Sequence, residues 1–370
     1  MHLLWFALIL LLPVGALAYI GWHLWVLLPL AAVWKALLIV LGIVCFLLLF
    51  VGLSPIMNRL PLPVARVVYE VGTSSLIVIL YLVMLFVILD LGRLLHVVSR
   101  AYIYNNGYMS VGIIALIVGL LVYGNWRYRH KVRVPLELTT TKPLSHPYKV
   151  VMASDLHLGY HNPRRELARW VDLFNAEQPD LILIAGDIID NSVRPLIEEY
   201  MAAEFRRLNA PVYACLGNHE FFGGRAQARQ FYDDAGIHLL TDTSAVFGNL
   251  IIIGRDDRTN PRRKPLDKLS PSLQEKEPGG ESFYTILLDH QPYHLEETER
   301  LGIDFQLSGH THRGQVWPIS WLTDRMYECA WGPHQRGNTR YYVSSGLGIW
   351  GGKFRIGTQS EYVVAEITSQ

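Results

Sequence analysis

The first 126 residues of this 370-residue chain hold only seven charged side chains: Lys35, Arg59, Arg66, Glu70, Asp90, Arg93 and Arg100. A globular domain is about one quarter charged, so this stretch does not have the composition of a water-facing surface. A helix crossing the hydrocarbon core of a bilayer needs roughly 20 consecutive apolar residues. Four segments meet that demand, 3–20, 33–53, 72–95 and 109–126. Gly112, Gly119 and Gly124 in the last suit close helix contact in lipid. Trp22, Trp25, Tyr102, Tyr104, Tyr108, Trp126 and Tyr128 fall at segment ends, where an interfacial aromatic belt lies. The first segment reads as a span, not a signal peptide, because no basic residue opens it and no small-x-small cleavage site follows.

Four crossings would put the N-terminus, the 54–71 loop and everything after Trp126 on one side. Arg59, Arg66, Arg127, Arg129, Lys131 and Arg133 lie there, against Arg93, Arg100 and Lys35 on the other. The excess of basic residues assigns that side to the cytoplasm. The expected organisation is a transmembrane region over 1–126, a basic juxtamembrane linker over 127–147 and a soluble domain over 148–370, in a multi-pass protein of the inner cell membrane. Net charge is +3 before residue 127 and −2 after it, which gives no reason to expect nucleic acid as a partner. Cys45, Cys215 and Cys329 form no disulfide framework. Nothing in the sequence fixes an oligomeric state.

From Tyr148 the pattern turns to α/β. Apolar runs at 148–153, 181–185, 211–216, 283–288 and 305–307 read as buried strands. AVFGNLIIIG (245–254) reads as a hairpin, and late strands are expected at 340–344 and 361–367. Leu167, Trp170, Val171 and Phe174 mark one helical face, with Asn162 as cap and Pro163 as first helical position. Further helices are expected over 196–208 and 224–235, the last ending at Gly236.

Five of these strands end in a residue able to hold a metal: Asp155 with His157, Asp187, Asn218, His290, and His310 with His312. Ligands of α/β sheets gather at the carboxyl ends of strands. Alternate residues of an extended chain face one way, so Asp155/His157 and His310/His312 can each project as a pair. Gly186, Gly217 and Gly309 keep the approach open. Carboxylate, amide and imidazole donors suit Mn, Fe, Zn or Mg, and the absence of cysteine among them argues against a closed structural zinc site.

The blocks SDLHLG (154–159), GDIID (186–190), GNHE (217–220), LLDHQP (287–292) and SGHTH (308–312), in this order, resemble the calcineurin-like metallophosphoesterases over about 148–367. The likeness is greatest to membrane-anchored bacterial members, through GHTHRGQV (309–316) and the late SSGLG (344–348). The resemblance implies a β-sandwich of two mixed sheets flanked by helices. It implies two divalent ions, one on Asp155, His157 and His312, the other on Asn218, His290 and His310, with Asp187 bridging. It implies hydrolysis of a phosphate ester or pyrophosphate by metal-activated hydroxide, with His219 protonating the leaving oxygen and Asp190 and Glu220 orienting ligands. One member type cleaves the pyrophosphate of a nucleotide-linked acyl sugar. Arg313 departs from the pattern, standing where such members often carry glycine, and bears on the rim and not on ligation.

Two other stretches bear on the substrate. RDDRTNPRRKPLDK (255–268) offers Arg262, Arg263 and Lys264 to a phosphate headgroup or an anionic lipid surface, the alternative being a solvated loop. VWPISWL (316–322) reads either as an interfacial segment or as a core strand and turn. An enzyme tethered to spans suits a phosphorylated substrate that itself lives in the bilayer, a lipid or a nucleotide-linked glycolipid. The alternative function is a membrane sensor or scaffold that binds metal and phosphate without turnover.

Overall fold

Sequence this poor in charge satisfies its backbone internally, as helix. The computed structural model, which describes residues 2–269 and 283–370 with side chains from residue 11 onward, has four long N-terminal helices. They are α1 (His2–Leu27), α2 (Ala32–Gly52), α3 (Leu62–Leu94) and α4 (Gly107–Arg129). Among the described residues, α2, α3 and α4 are long and apolar enough to cross a membrane, and Leu11–Leu27 is a shorter apolar helix. The 21 residues of α2 extend about 30 Å at ~1.5 Å per residue, the thickness of a hydrocarbon core. Helix α3 begins well before the expected span at 72, because Pro63 lies in its first turn, where a missing N–H costs no helical bond. A side chain at Gly72 would run into the backbone of Leu48 and Leu49, so α2 and α3 meet through small-residue packing. Asp90 on α3 accepts a hydrogen bond from Tyr19 on α1 at 2.7 Å and lies 3.0 Å from His23 Nε2.

The chain divides into two compact units, Met1–Gly124 with Gly351–Lys353, and Asn125–Trp350 with Phe354–Gln370. The second is built on two six-stranded sheets. The first sheet has the order β1 (Lys131–Thr140), β12 (Ser360–Ser369), β2 (Tyr148–Ala153), β3 (Leu181–Ala185), β4 (Val212–Cys215), β5 (Ile237–Leu239). The second has the order β10 (Gly332–Arg336), β11 (Thr339–Val343), β9 (Phe305–Ser308), β8 (Tyr284–Leu288), β7 (Leu250–Gly254), β6 (Thr243–Phe247). Strands β2 to β5 run parallel, as do β7, β8, β9 and β11; β12–β2, β6–β7 and β10–β11 are antiparallel.

Alternation along each strand separates two cores. Val150 and Met152 join Leu181, Leu183, Ile252, Ile286, Leu288, Phe305 and Leu307 between the sheets. Val151, Ile182 and Ile184 face outward onto Leu167, Trp170, Val171 and Phe174 of α5 (Arg164–Ala176). Both faces are covered, which is why these strands read as unbroken apolar runs and not as alternating ones.

The stretch 127–147 is not a linker. Helix α4 runs to Arg129, and β1 pairs in parallel with β12 from Lys131↔Ser360 to Thr140↔Ser369. The apolar alternation of Val132, Val134, Leu136 and Leu138 makes it a strand, although its cations dominate the sequence there. Pro163, not Asn162, is the cap residue of α5. Asn162 is buried, donates to the carbonyls of Leu156 and His157 at 3.1 and 3.0 Å, and accepts from Tyr128 at 2.6 Å. The helix expected over 196–208 is two short ones, α6 (Arg194–Glu198) and α7 (Met201–Phe205), broken where Tyr200 takes φ +55°. After β4 come α8 (His219–Phe222) and α9 (Arg225–Ala235), the latter closed by left-handed Gly236 as expected. Among the described residues of the second half, α8 and two later helices, α10 (Leu295–Arg300) and α11 (Ile319–Met326), fall outside the sequence expectation. The last of these, α11, overlaps the segment 316–322, read as an interfacial segment or a core strand and turn.

Candidate metal centre

The carboxyl ends of β2, β3, β4, β8 and β9 release Asp155 with His157, Asp187, Asn218, His290, and His310 with His312. His157 Nε2 lies 3.0 Å from His312 Nε2, 3.8 Å from Asp155 Oδ1 and 3.7 Å from Asp187 Oδ2. His312 Nε2 is 3.5 Å from Asp155 Oδ1. Asp187 Oδ2 is also 3.1 Å from His290 Nε2, and His310 Nδ1 is 2.8 Å from Asn218 Oδ1. Among the described residues, donor atoms close enough to share an ion occur as Asp155/His157/His312, Asp155/Asp187/His290 and His157/Asp187/His219.

These spacings fit a cation. Ligand atoms about 2.1 Å from an ion sit ~3 Å from one another around an octahedron. The buried Nε2 of His290 makes no hydrogen bond. Two imidazole nitrogens face each other at 3.0 Å, where they must share either a proton or a cation.

The donors do not converge by extended alternation. Asp155 (φ 53°), His157 (45°), Asp187 (53°), His310 (69°) and His312 (47°) all take left-handed backbone. Non-glycine residues rarely adopt it, and such strain gathers at functional sites. The kinks are held by backbone bonds: Asp155 N to Gly186 O at 3.1 Å, and His157 N to Asp187 O at 2.9 Å. Glycine is needed at 217 and 309, since a Cβ there would strike the carboxylates of Asp187 and Asp155.

Each donor is aimed by a neighbour. Asp187 Oδ1 accepts from His219 N at 2.9 Å, leaving Oδ2 to face both His157 and His290. His290 Nδ1 lies 2.7 Å from the Ala185 carbonyl and donates to it, which directs Nε2 at Asp187. Glu220 is fully buried and ties two donor loops together. Its Oε2 accepts from Gly217 N (2.7 Å) and Asp187 N (3.2 Å), and its Oε1 from Ile189 N (3.0 Å) and the Tyr232 hydroxyl (3.1 Å). Asp190 Oδ1 lies 3.4 Å from His157 Nδ1 and 3.3 Å from His219 Nδ1, and the His219 ring meets that of His157 edge-on at 4.5 Å.

One supporting residue escaped the sequence reading. Arg355 is fully buried and donates to the carbonyls of His312 (2.8 Å), Ser345 and Gly348 (3.1 Å). It fixes the backbone of a left-handed ligand. Its only sequence signal is a lone arginine within the glycine-rich GLGIWGGKFRIG (346–357).

The expected substrate or lipid contacts are Arg262, Arg263, Lys264 and Arg313. Arg263 bonds Asp289 Oδ1 at 3.2 Å and the Asp256 carbonyl at 3.3 Å. Lys264 reaches the Asp242 carbonyl at 3.4 Å, while Arg262 is exposed. Arg313 stacks its guanidinium 4.2 Å over Trp331, 3.6 Å from Asp324.

The electrostatics divide the imidazoles. Burial would raise Asp155, Asp187 and Asp190, but surrounding histidines hold all three carboxyls below their ordinary range. Burial would lower His157, yet Asp155, Asp190 and Asp187 bring it up to about 10. His290 is likewise raised against its burial, chiefly by Asp187. Burial and His290 push His310 down to about 4, and burial pushes His312 well down. Burial and the charge of Asp187 raise Glu220, against the pull of its backbone donors.

The family model for calcineurin-like phosphoesterases matches residues 148–314. An uncharacterized metallophosphoesterase of Campylobacter jejuni is 31% identical over 226 residues, covering 59% of this chain and 59% of that protein. A Danio rerio transmembrane protein with metallophosphoesterase domain is 30% identical over 312 residues, covering 76% of this chain and 69% of the relative. Among solved structures, a 5'-nucleotidase precursor from Thermus thermophilus aligns with 56% of this chain and 49% of its own, at TM-score 0.38 and 16% identity.

At pH 7 without metal, His157 and His290 hold protons and His310 and His312 do not. Loading Mn²⁺ must therefore expel about two protons per chain. Apparent affinity rises with pH towards 10 and falls as acid is added. Calorimetric titration in buffers of differing ionisation enthalpy measures that count. Replacing Glu220 with Ala leaves three buried N–H groups unpaired, those of Gly217, Asp187 and Ile189. It lowers Mn²⁺ affinity about 10–100-fold, whereas Glu220→Gln, which keeps an acceptor, loses less in the same titration.

Proposed function

The chain belongs to the calcineurin-like phosphoesterase family, and on that premise we propose that it is a membrane-anchored hydrolase of phosphate esters or pyrophosphates working with two divalent ions. Asp155, His157 and His312 would hold one ion, and Asn218, His290 and His310 the other. The observation that carries this reading is Asp187 Oδ2, a single oxygen 3.7 Å from His157 Nε2 and 3.1 Å from His290 Nε2, and so shared by both donor sets. When bound, paired ions supply a nucleophile from water near neutral pH and neutralise charge on the phosphoryl oxygens. Oxygen and nitrogen donors suit Mn, Fe, Zn or Mg.

The protein's own groups do the rest. Asp190 beside Nδ1 of both His157 and His219 favours the proton on that nitrogen in each ring. That leaves His157 Nε2 for the ion and His219 Nε2 for the substrate. As an imidazolium, with its Nδ1–H held on Asp190, His219 gives the Nε2 proton to the leaving oxygen and is left neutral. Glu220 keeps the Asp187 and Asn218 loops at one separation, and Arg355 keeps His312 in place.

We place the anchor in the N-terminal helices and the chemistry in the second unit, on the cytoplasmic side that the flanking cations favour. The substrate class is a phosphate carried by a membrane lipid or a nucleotide-linked glycolipid. An anchor in the same bilayer raises its encounter rate.

Purified full-length protein with Mn²⁺ tests the chemistry on bis-p-nitrophenyl phosphate. Wild type hydrolyses it. Asp187→Asn loses more than the roughly 10–100-fold typical of a supporting residue. His219→Ala lowers kcat about 10²–10⁴-fold while Mn²⁺ still binds. A wild type that binds two ions yet turns over no phosphoester contradicts the reading and favours a sensor or scaffold.

A further inference from the structure

Helix α11 is amphipathic in the wrong sense for water. Its buried side chains are Ser320 (5% exposed) and Thr323 (8%), whereas Trp321 (63%), Leu322 (58%) and Met326 (63%) face out. Trp317 (38%) and Ile319 (39%) extend the same ridge, and the two tryptophans pack edge to face with centroids 5.4 Å apart. Scattered apolar residues on a surface need no explanation, but a contiguous ridge marks a contact.

The inversion is fixed by the ligand loop. Gly314 lies two residues beyond His312, and a side chain there would come within 2.6 Å of Thr323 Oγ1 and 2.7 Å of Ser320 N. Thr323 turns its hydroxyl back onto the Ile319 carbonyl at 3.1 Å, which satisfies it in a space too small for a larger side chain. With Ser320 and Thr323 pressed on this loop, the apolar side chains of the helix are left to face outward, beside Asp324 and Arg325.

We propose that this ridge inserts into the interfacial layer of an anionic lipid bilayer, as a contact additional to the spanning helices. Three observations select lipid over a protein partner. The ridge pairs two tryptophans with aliphatic side chains, the composition of headgroup-level anchors. Arg325 is exposed on the same helix, while the one acid within that helix, Asp324, faces Arg313 at 3.6 Å, so these three side chains carry a net positive charge. The chain also carries helices long and apolar enough to cross a bilayer, so lipid is present at high effective concentration. Where the phosphoesterase reading holds, the ridge delivers a bilayer-borne phosphate to the loop that carries His310 and His312.

The test places a nitroxide label by Leu322→Cys, and separately by Val246→Cys as a control on β6 that is 63% exposed, in the full-length protein. Cys45 is replaced by Ser, and Cys215 and Cys329 are buried. The protein is reconstituted in phosphatidylglycerol/phosphatidylethanolamine vesicles, and power saturation compares oxygen with a nickel chelate. The ridge label reports a depth of about 5–10 Å below the headgroups and the control reports water. Adding Trp321→Asp and Met326→Asp returns the ridge label to water and leaves the Val246 line shape unchanged. Equal nickel access at both positions overturns the proposal, and so does loss of access to both reagents at 322, which would mean that protein covers the ridge. Depth is read without any substrate, so failed hydrolysis and failed insertion are distinguished.

Discussion

Three carboxylates with almost no solvent, Asp155, Asp187 and Asp190, stand within one shell of imidazoles. Burying that much negative charge is unfavourable unless positive charge comes with it. In the protein alone the compensation falls to protons on His157 and His290, each raised by the carboxylates beside it. Divalent ions meet the same demand with more charge and fixed geometry. The left-handed kinks, the glycines at 217 and 309 and the buried Glu220 and Arg355 all keep these carboxylates close against their mutual repulsion.

The fold makes the crowding possible. Parallel strands bring their carboxyl ends to one edge of a sheet, and two such sheets packed through a shared apolar core bring two edges together. Asp155, Asp187 and Asn218 come from the first sheet, and His290, His310 and His312 from the second. Neither sheet alone carries the full donor set, so packing between Met152, Leu183, Ile286 and Leu307 and their neighbours sets how closely the two halves approach.

The strands and their terminal donors were legible because each donor block follows an unbroken apolar run that both covered faces require. The order of those blocks carried the family resemblance for the same reason. The means of convergence was not legible: no glycine marks Asp155, His157 or His312 as left-handed, and the bonds that hold the first two come from the distant Gly186–Asp187 loop. Strand β1 was hidden because its cations resemble a juxtamembrane linker, and its pairing partner β12 lies at the far end of the chain. Arg355 acts on carbonyls brought to it by tertiary structure, which no local pattern records. Helix α11 was left open between an interfacial segment and a core strand because its buried face is the polar one, the reverse of what periodicity looks for.

On this reading seven donors hold a pair of ions with Asp187 between them. Anomalous diffraction from crystals of the full-length protein grown with Mn²⁺ tests this most directly. Two peaks about 3.5–4 Å apart, both within bonding distance of the Asp187 carboxylate, are expected. One peak alone, or two that leave Asp187 outside the coordination of either, would contradict it.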